Sequence, residues 1–330
     1  MKITPIFILG TARSGTTWLT SVIGSHPQVA CAQHPLHHGA HESNIFVNKR
    51  YWGDLSKSKN FIKFLELYSS ADYFLLVQGD KKFFYRVKPK NFYDFFFMLM
   101  DNFAQTQGSN FWVTKFDNLL CYYPRELEEF LKKVKSAYQD VKFLYIKRRF
   151  KDVLNSYINM PGTKYNFRMT TLGKWLGAIK MCAQWSYENR LFQEIVEREN
   201  GLTIEFEDLK EDFIKTIKKC CDYLGVICNL KQIKECPYVP NTSFIEKKKI
   251  VNFSGIELFV LEKLILKVFQ KFPHIARILN VVWKMLKGKK CPLYWRILKS
   301  QYFLAELIEE FQKTGELDLV DYLDNLRKNT

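Results

Sequence analysis

Apolar positions along the chain fall into short unbroken runs separated by stretches of helical period. Residues 3–10 form an apolar run ending at Gly10, which reads as a buried strand, and 15–25 read as the helix that follows. His26-Pro27 closes that helix, because proline disfavours helix at the residue before it. Val29-Ala-Cys31 is a second short strand, and 33–53 have no period and read as a loop. Residues 60–105 are strongly aromatic and mostly helical, with Phe92, Phe95, Phe96 and Phe97 expected in the core. Then come a strand at 111–115, a helix from Pro124 to Tyr138, a strand at 141–146, a helix at 151–159 and a long helix at 171–199. Leu202 to Glu205 is a short strand, and Asp208 to Leu224 a helix with Gly225 as its C-cap.

Strands alternating with helices predict an α/β fold, a parallel sheet with helices on both faces. From about 255 the pattern turns all-helical. Leu258 to Leu286 is apolar and basic, with Pro273 inside it, and its lysines recur too often for a membrane span. The expectation is a domain over 1–250 and a helical C-terminal extension over 251–330 packed on it. An anionic membrane surface is the alternative setting for these helices.

The chemistry concentrates where the first strand ends. Gly10-Thr-Ala-Arg13-Ser14-Gly15-Thr16-Thr17-Trp18 has the glycine spacing of a phosphate-binding loop, without the lysine usual after the second glycine. Glycines admit an anion close to the backbone, and the free N–H groups and positive dipole end of the next helix point at it. Arg13 adds a permanent charge in a planar fork suited to oxyanions. The absent lysine argues against an ordinary ATPase or GTPase. A second cluster ends the strand at 141–146. Arg148 stands at its C-terminal end, where open α/β sheets bind ligands, and Ser156 follows in the next helix.

Composition agrees with an anionic ligand. The 330 residues hold 50 Lys and Arg against 34 Asp and Glu, a formal charge of +16. Eight cysteines without a CxxC pair predict reduced thiols and a cytoplasmic setting, as does an N-terminus running directly into a strand. No metal constellation is evident.

Taken together, the two anion sites resemble those of the sulfotransferases that use 3′-phosphoadenosine 5′-phosphosulfate (PAPS) and release PAP. Arg13-Ser-Gly-Thr-Thr17-Trp18 is similar to that family's phosphosulfate loop. Arg148-Arg-Phe-Lys-Asp152-Val-Leu-Asn-Ser156 is similar to its 3′-phosphate motif, with Arg149-Phe150 replacing the usual Asp-Pro. Phe206 stands for the tyrosine of a third motif, Asn241-Thr242-Ser243-Phe244 resembles an adenine-side segment, and Trp18 matches the aromatic that stacks on adenine. Trp112-Val-Thr-Lys115 resembles the strand-end lysine of the tyrosyl-protein and carbohydrate branches. The resemblance covers roughly residues 5–245.

It implies in-line sulfuryl transfer from PAPS to an acceptor hydroxyl or amine, with no metal. Arg13, Ser14, Gly15, Thr16, Thr17, Trp18, Arg148, Ser156, Phe206, Thr242 and Phe244 are the implied donor-binding residues. Arg13 and Lys115 would balance charge on the transferring group. Counted from His26-Pro27, the base position of the tyrosyl-protein branch falls on His34; His37, His38, His41 and Glu42 are the other candidates. The implied partners are PAPS and a hydroxyl-bearing acceptor, with peripheral membrane contact through the basic helices and no nucleic acid. A phosphotransferase using Asp117 for Mg²⁺, and a non-catalytic anion binder, are the rival readings.

Overall fold

The computed structural model describes residues 2–33, 39–43, 45–46, 52–116, 118, 120–159, 170–238 and 251–287. Their elements are, in order, β1 (Thr4–Leu9), α1 (Thr16–Ile23), β2 (Val29–Cys31), α2 (Ser58–Tyr68), α3 (Asp72–Leu76), α4 (Lys81–Val87), α5 (Phe92–Thr106), β3 (Phe111–Lys115) and α6 (Pro124–Ala137). There follow β4 (Lys142–Lys147), α7 (Phe150–Ile158), α8 (Thr171–Arg198), β5 (Leu202–Glu205), α9 (Phe206–Glu211), α10 (Phe213–Leu224) and α11 (Leu230–Lys234). Last come α12 (Gly255–Phe259), a π-helical stretch (Val260–Ile265), α13 (Leu266–Lys271) and α14 (Pro273–Lys287). The strands form one five-stranded sheet in the order β2-β3-β1-β4-β5, so the fold is the expected α/β type. The chain divides into two compact units, one built on Ile23–Val141 and the first residues of β1, the other on Phe7–Val22 and Lys142–Lys287.

In the first unit β2 pairs in parallel with β3, Ala30 opposite Trp112. The region 60–105 is four helices, and local chemistry sets the breaks. Asp80 caps α4 through the Lys82 N–H, and Lys88 ends it in a left-handed turn (φ 46°). Asn91 then caps α5, accepting from the N–H groups of Tyr93 and Asp94 at 3.0 and 2.9 Å. The aromatics pack on each other as expected: Phe84 and Phe95 have centroids 4.2 Å apart, and Phe64 meets Phe92 and Phe95 edge-on at 5.0 Å. Asp101 accepts from the Trp112 indole and the Tyr138 hydroxyl, each at 2.9 Å, which satisfies three polar groups inside this core.

In the second unit β4 pairs in parallel with β5, Ile146 opposite Ile204. The helix read at 208–224 is two, α9 and α10, because the Asp212 side chain caps a new start through the Lys215 N–H. Gly225 closes α10 at φ 72°, the C-cap expected there. Pro273 begins α14 after the chain turns at Phe272. The helices after 255 bury Leu261, Leu266, Phe269 and Ala276 in a core shared with α7 and α8, against Val153, Ile158, Met181 and Cys182.

Candidate functional site

The loop from β1 to α1 is shaped by two glycines. A Cβ on Gly10 would come within 2.7 Å of the Thr16 methyl and 2.9 Å of the Ile146 carbonyl oxygen. Gly15 has φ +99°, and a Cβ there would meet the Phe206 ring at 2.6 Å. Arg13 takes a left-handed conformation (φ 73°), which side chains other than glycine seldom adopt and which recurs where function holds it. Ser14 turns its hydroxyl and N–H back to the Thr11 carbonyl, and the Leu19 N–H reaches the Gly15 carbonyl at 3.0 Å to open α1. Behind the loop, the fully buried Thr11 hydroxyl accepts from Asn189 of α8 at 3.3 Å. Asn189 in turn accepts from the Tyr145 hydroxyl. Thr16 and Thr17 stay half-buried at the start of α1.

The second cluster closes on the same loop. Arg148 leaves β4 and donates through Nη1 to the Arg13 carbonyl oxygen at 2.9 Å. Its guanidinium lies over the Phe206 ring, 4.1 Å from the centroid. The indole of Trp185 donates to the Arg148 carbonyl at 3.0 Å. From α7, Ser156 accepts from Nε of Arg13 at 3.1 Å. Burial pulls both guanidiniums below the ordinary arginine value, and the charge of Arg13 lowers Arg148 further. Nε of Arg148 is buried and finds no hydrogen-bond partner among the described residues. Two partly desolvated arginines with an unsatisfied N–H form a site built for an anion. A cavity of about 570 Å³ opens beside Arg148, lined among others by Lys151, Trp185 and Glu262.

The replaced Asp-Pro pair has a local account. Phe150 is buried and meets Trp185 edge-on at 5.7 Å, while Arg149 bonds Asp152 at 3.0 Å and Glu207 at 3.1 Å. Trp18 stacks on Phe213 at 6.0 Å with 14° between planes and meets Phe206 edge-on. Phe206 thus touches Gly15, Trp18 and Arg148, a packing role in place of a hydroxyl contact.

In the other unit Lys115 ends β3 and pairs with Glu42 at 3.3 Å, and His41 Nε2 lies 2.7 Å from Asp72. The antiparallel bridge between Gln33 and Ala40 ties the two ends of the loop that carries the base candidates. His34, His37, His38, Asp117, Thr242 and Phe244 lie outside the described residues. Sequence reasoning missed Trp185, Asp72 and Tyr238, whose phenol is raised by burial and lowered by the charge of Arg13. None of the three stands in a motif, so only the fold brings them to notice.

A profile of the sulfotransferase family matches residues 5–229, over half of the chain. The chain belongs to the sulfotransferase family. This sulfotransferase resembles the solved sulfotransferase domain of the curacin biosynthetic pathway at 17% identity, over 77% of this chain and 84% of that one (TM-score 0.45). It resembles the sulfotransferase domain of the Synechococcus PCC 7002 olefin synthase at 18% identity, over 81% and 95% (TM-score 0.48). A mouse sulfotransferase complexed with PAP matches at 15% identity over 84% and 88% (TM-score 0.45). No curated protein sequence matches it. The sulfotransferase's reaction is sulfuryl transfer, and the family's donor is PAPS. Among the described residues no group of His, Cys, Asp and Glu is arranged to hold a metal ion, and no helix is long and apolar enough to cross a membrane.

Proposed function

We propose that the 10–18 loop, Arg148 and Ser156 form the PAPS site of this sulfotransferase, on a domain of residues 1–250 with 251–330 as a helical extension. The observation that carries the assignment is the buried Nε of Arg148, without a partner among the described residues, beside the Arg13–Ser156 bond. A nucleotide phosphorylated at both 3′ and 5′ positions supplies an anion for each cluster. Arg148 and Ser156 take the 3′-phosphate, and the loop N–H groups, Thr16 and Thr17 take the 5′-phosphosulfate, while Ser14, expected among these donors, is spent on the Thr11 carbonyl and shapes the loop. Trp18, Phe206, Thr242 and Phe244 serve the adenosine.

In the reaction an acceptor oxygen attacks sulfur, the bond from sulfur to the bridging phosphate oxygen breaks, and PAP leaves with that electron pair. Negative charge grows on the leaving phosphate and spreads over the sulfuryl oxygens. Fixed donors in a partly desolvated site stabilise that charge without reorganising. Arg13 and Lys115 are the cations we assign to it.

The acceptor proton passes to a base on the 33–42 loop, with His34 as first candidate. Glu42 is the second, favoured by the 3.3 Å approach of Lys115. An acceptor hydroxyl or amine fits this chemistry. We place the enzyme in the cytoplasm, supported by the buried free thiols of Cys182, Cys220 and Cys221, with burial raising Cys220 and Cys221 to about 12. A membrane surface is a further partner we propose, on the strength of the basic helices after 255. Titration of His34→Ala with PAP and assay of its turnover test the binding and catalytic halves of this reading separately.

A further inference from the structure

The helices after 255 carry a face that no described element packs against. From Gly255 to Lys271 the helix runs about 25 Å. Its inner side, Leu261, Leu266 and Phe269, is buried in the core with α7 and α8. Its outer side presents Phe259, Leu264 and Val268, exposed to 59%, 58% and 49%. The outer side of α14 adds Ile278 and Leu279, about half exposed. Large apolar side chains exposed along the outer sides of packed helices mark an interaction surface.

The charges on that face have one sign. Lys263, Lys267 and Lys271 are exposed on it. The two carboxylates of the segment turn elsewhere. Glu257 binds Lys174 with both oxygens, at 2.7 and 2.8 Å, and Glu262 lines the cavity beside Arg148. The sequence extends this bias: from Lys263 to Ala305 it holds ten Lys and Arg and no Asp or Glu. Large apolar side chains interleaved with lysines suit the boundary between acyl chains and anionic headgroups. A cationic partner surface is excluded by the same charges.

We infer that the outward face of α12 to α14 docks this protein on an anionic lipid surface. The helices lie along the membrane and do not cross it. The inference is independent of the donor site, since none of the face's residues belongs to that site.

The test is flotation of the full chain with vesicles of phosphatidylcholine alone and of equimolar phosphatidylcholine and phosphatidylglycerol. Recovery with the anionic vesicles only, reduced in about 1 M salt, is expected. Leu264→Glu with Val268→Glu should lower the partition at least tenfold. Lys263→Gln, Lys267→Gln and Lys271→Gln together should lower it about 100-fold. Thermal melting and PAP titration check that the variants fold. Should they not, Phe259→Trp in the otherwise native chain reports insertion by quenching with brominated anionic lipid. Equal recovery with neutral vesicles, undiminished binding of folded variants, or no quenching at Phe259→Trp would overturn the inference. So would a wild-type chain that self-associates through this face and ignores lipid.

Discussion

The side chains of Arg13 and Ser156, 143 positions apart in sequence, meet in a 3.1 Å hydrogen bond. The bond joins the loop after β1 to the helix after β4, and Arg148 ties the same two segments through the Arg13 carbonyl. The two anion motifs are therefore one cluster in the fold, and the first three predictions follow from it.

Arg148→Ala should weaken PAP about 100-fold and leave adenosine 5′-phosphosulfate within a few-fold, because a charged hydrogen-bond partner is removed from the 3′-phosphate alone. Titration calorimetry with both nucleotides decides it. Equal losses for the two would take Arg148 away from the 3′-phosphate.

Ser156→Ala should cost about tenfold in PAP affinity, a neutral hydroxyl being worth less than a guanidinium. It also leaves Nε of Arg13 without the Ser156 acceptor, so turnover should fall as well. An unchanged PAP affinity would show that the Ser156 hydroxyl serves only to hold Arg13.

Gly15→Ala places a methyl within 2.6 Å of the buried Phe206 ring at φ +99°. Strain of this kind costs about 1–3 kcal/mol. A lower melting temperature together with loss of PAP binding is expected. A variant that melts and binds as the parent does would mean that the loop has another accessible shape.

The loop geometry was readable in advance because strand, glycine spacing and helix follow one another directly from Thr4 to Ile23. The same holds for Arg148 and Ser156, which lie on one β4-to-α7 segment, the arginine just after the strand and the serine inside the helix. Phe206 was legible only as a replaced tyrosine. Its contacts with Gly15 and Arg148 depend on β5 lying beside β4, a long-range pairing that local pattern does not contain. The breaks within 60–105 were missed because a run of aromatics hides the caps at Asp80 and Asn91. The division of 208–224 was missed for a similar reason, since Asp212 looks like any other surface charge in a helix.

His34→Ala should reduce kcat about 100-fold with PAP affinity preserved, the usual size of a general-base contribution. Near-normal turnover would move the role to Glu42, and Glu42→Gln should then show the loss.

The carboxyl of Asp101 gives a pH signature in stability. Desolvation raises its pKa, outweighing the bonds from Trp112 and Tyr138 that lower it. A carboxyl raised on folding stabilises the protein below its unfolded pKa of about 3.9, and that contribution is lost as pH rises through the folded value. At neutral pH its charge is a cost. Asp101→Asn keeps an acceptor for both donors, so the variant should melt a few degrees above the parent at pH 7, an advantage that shrinks towards pH 4. A variant less stable at both pH values would contradict this.

The central claim is that the arginine cluster recognises a nucleotide phosphorylated at both 3′ and 5′ positions. Calorimetric titration of the full chain with PAP, with ATP and GTP as comparisons, tests it most directly. PAP should bind at least 100-fold more tightly than either triphosphate, a preference that one charged contact can supply. A clear preference for ATP or GTP would contradict the account.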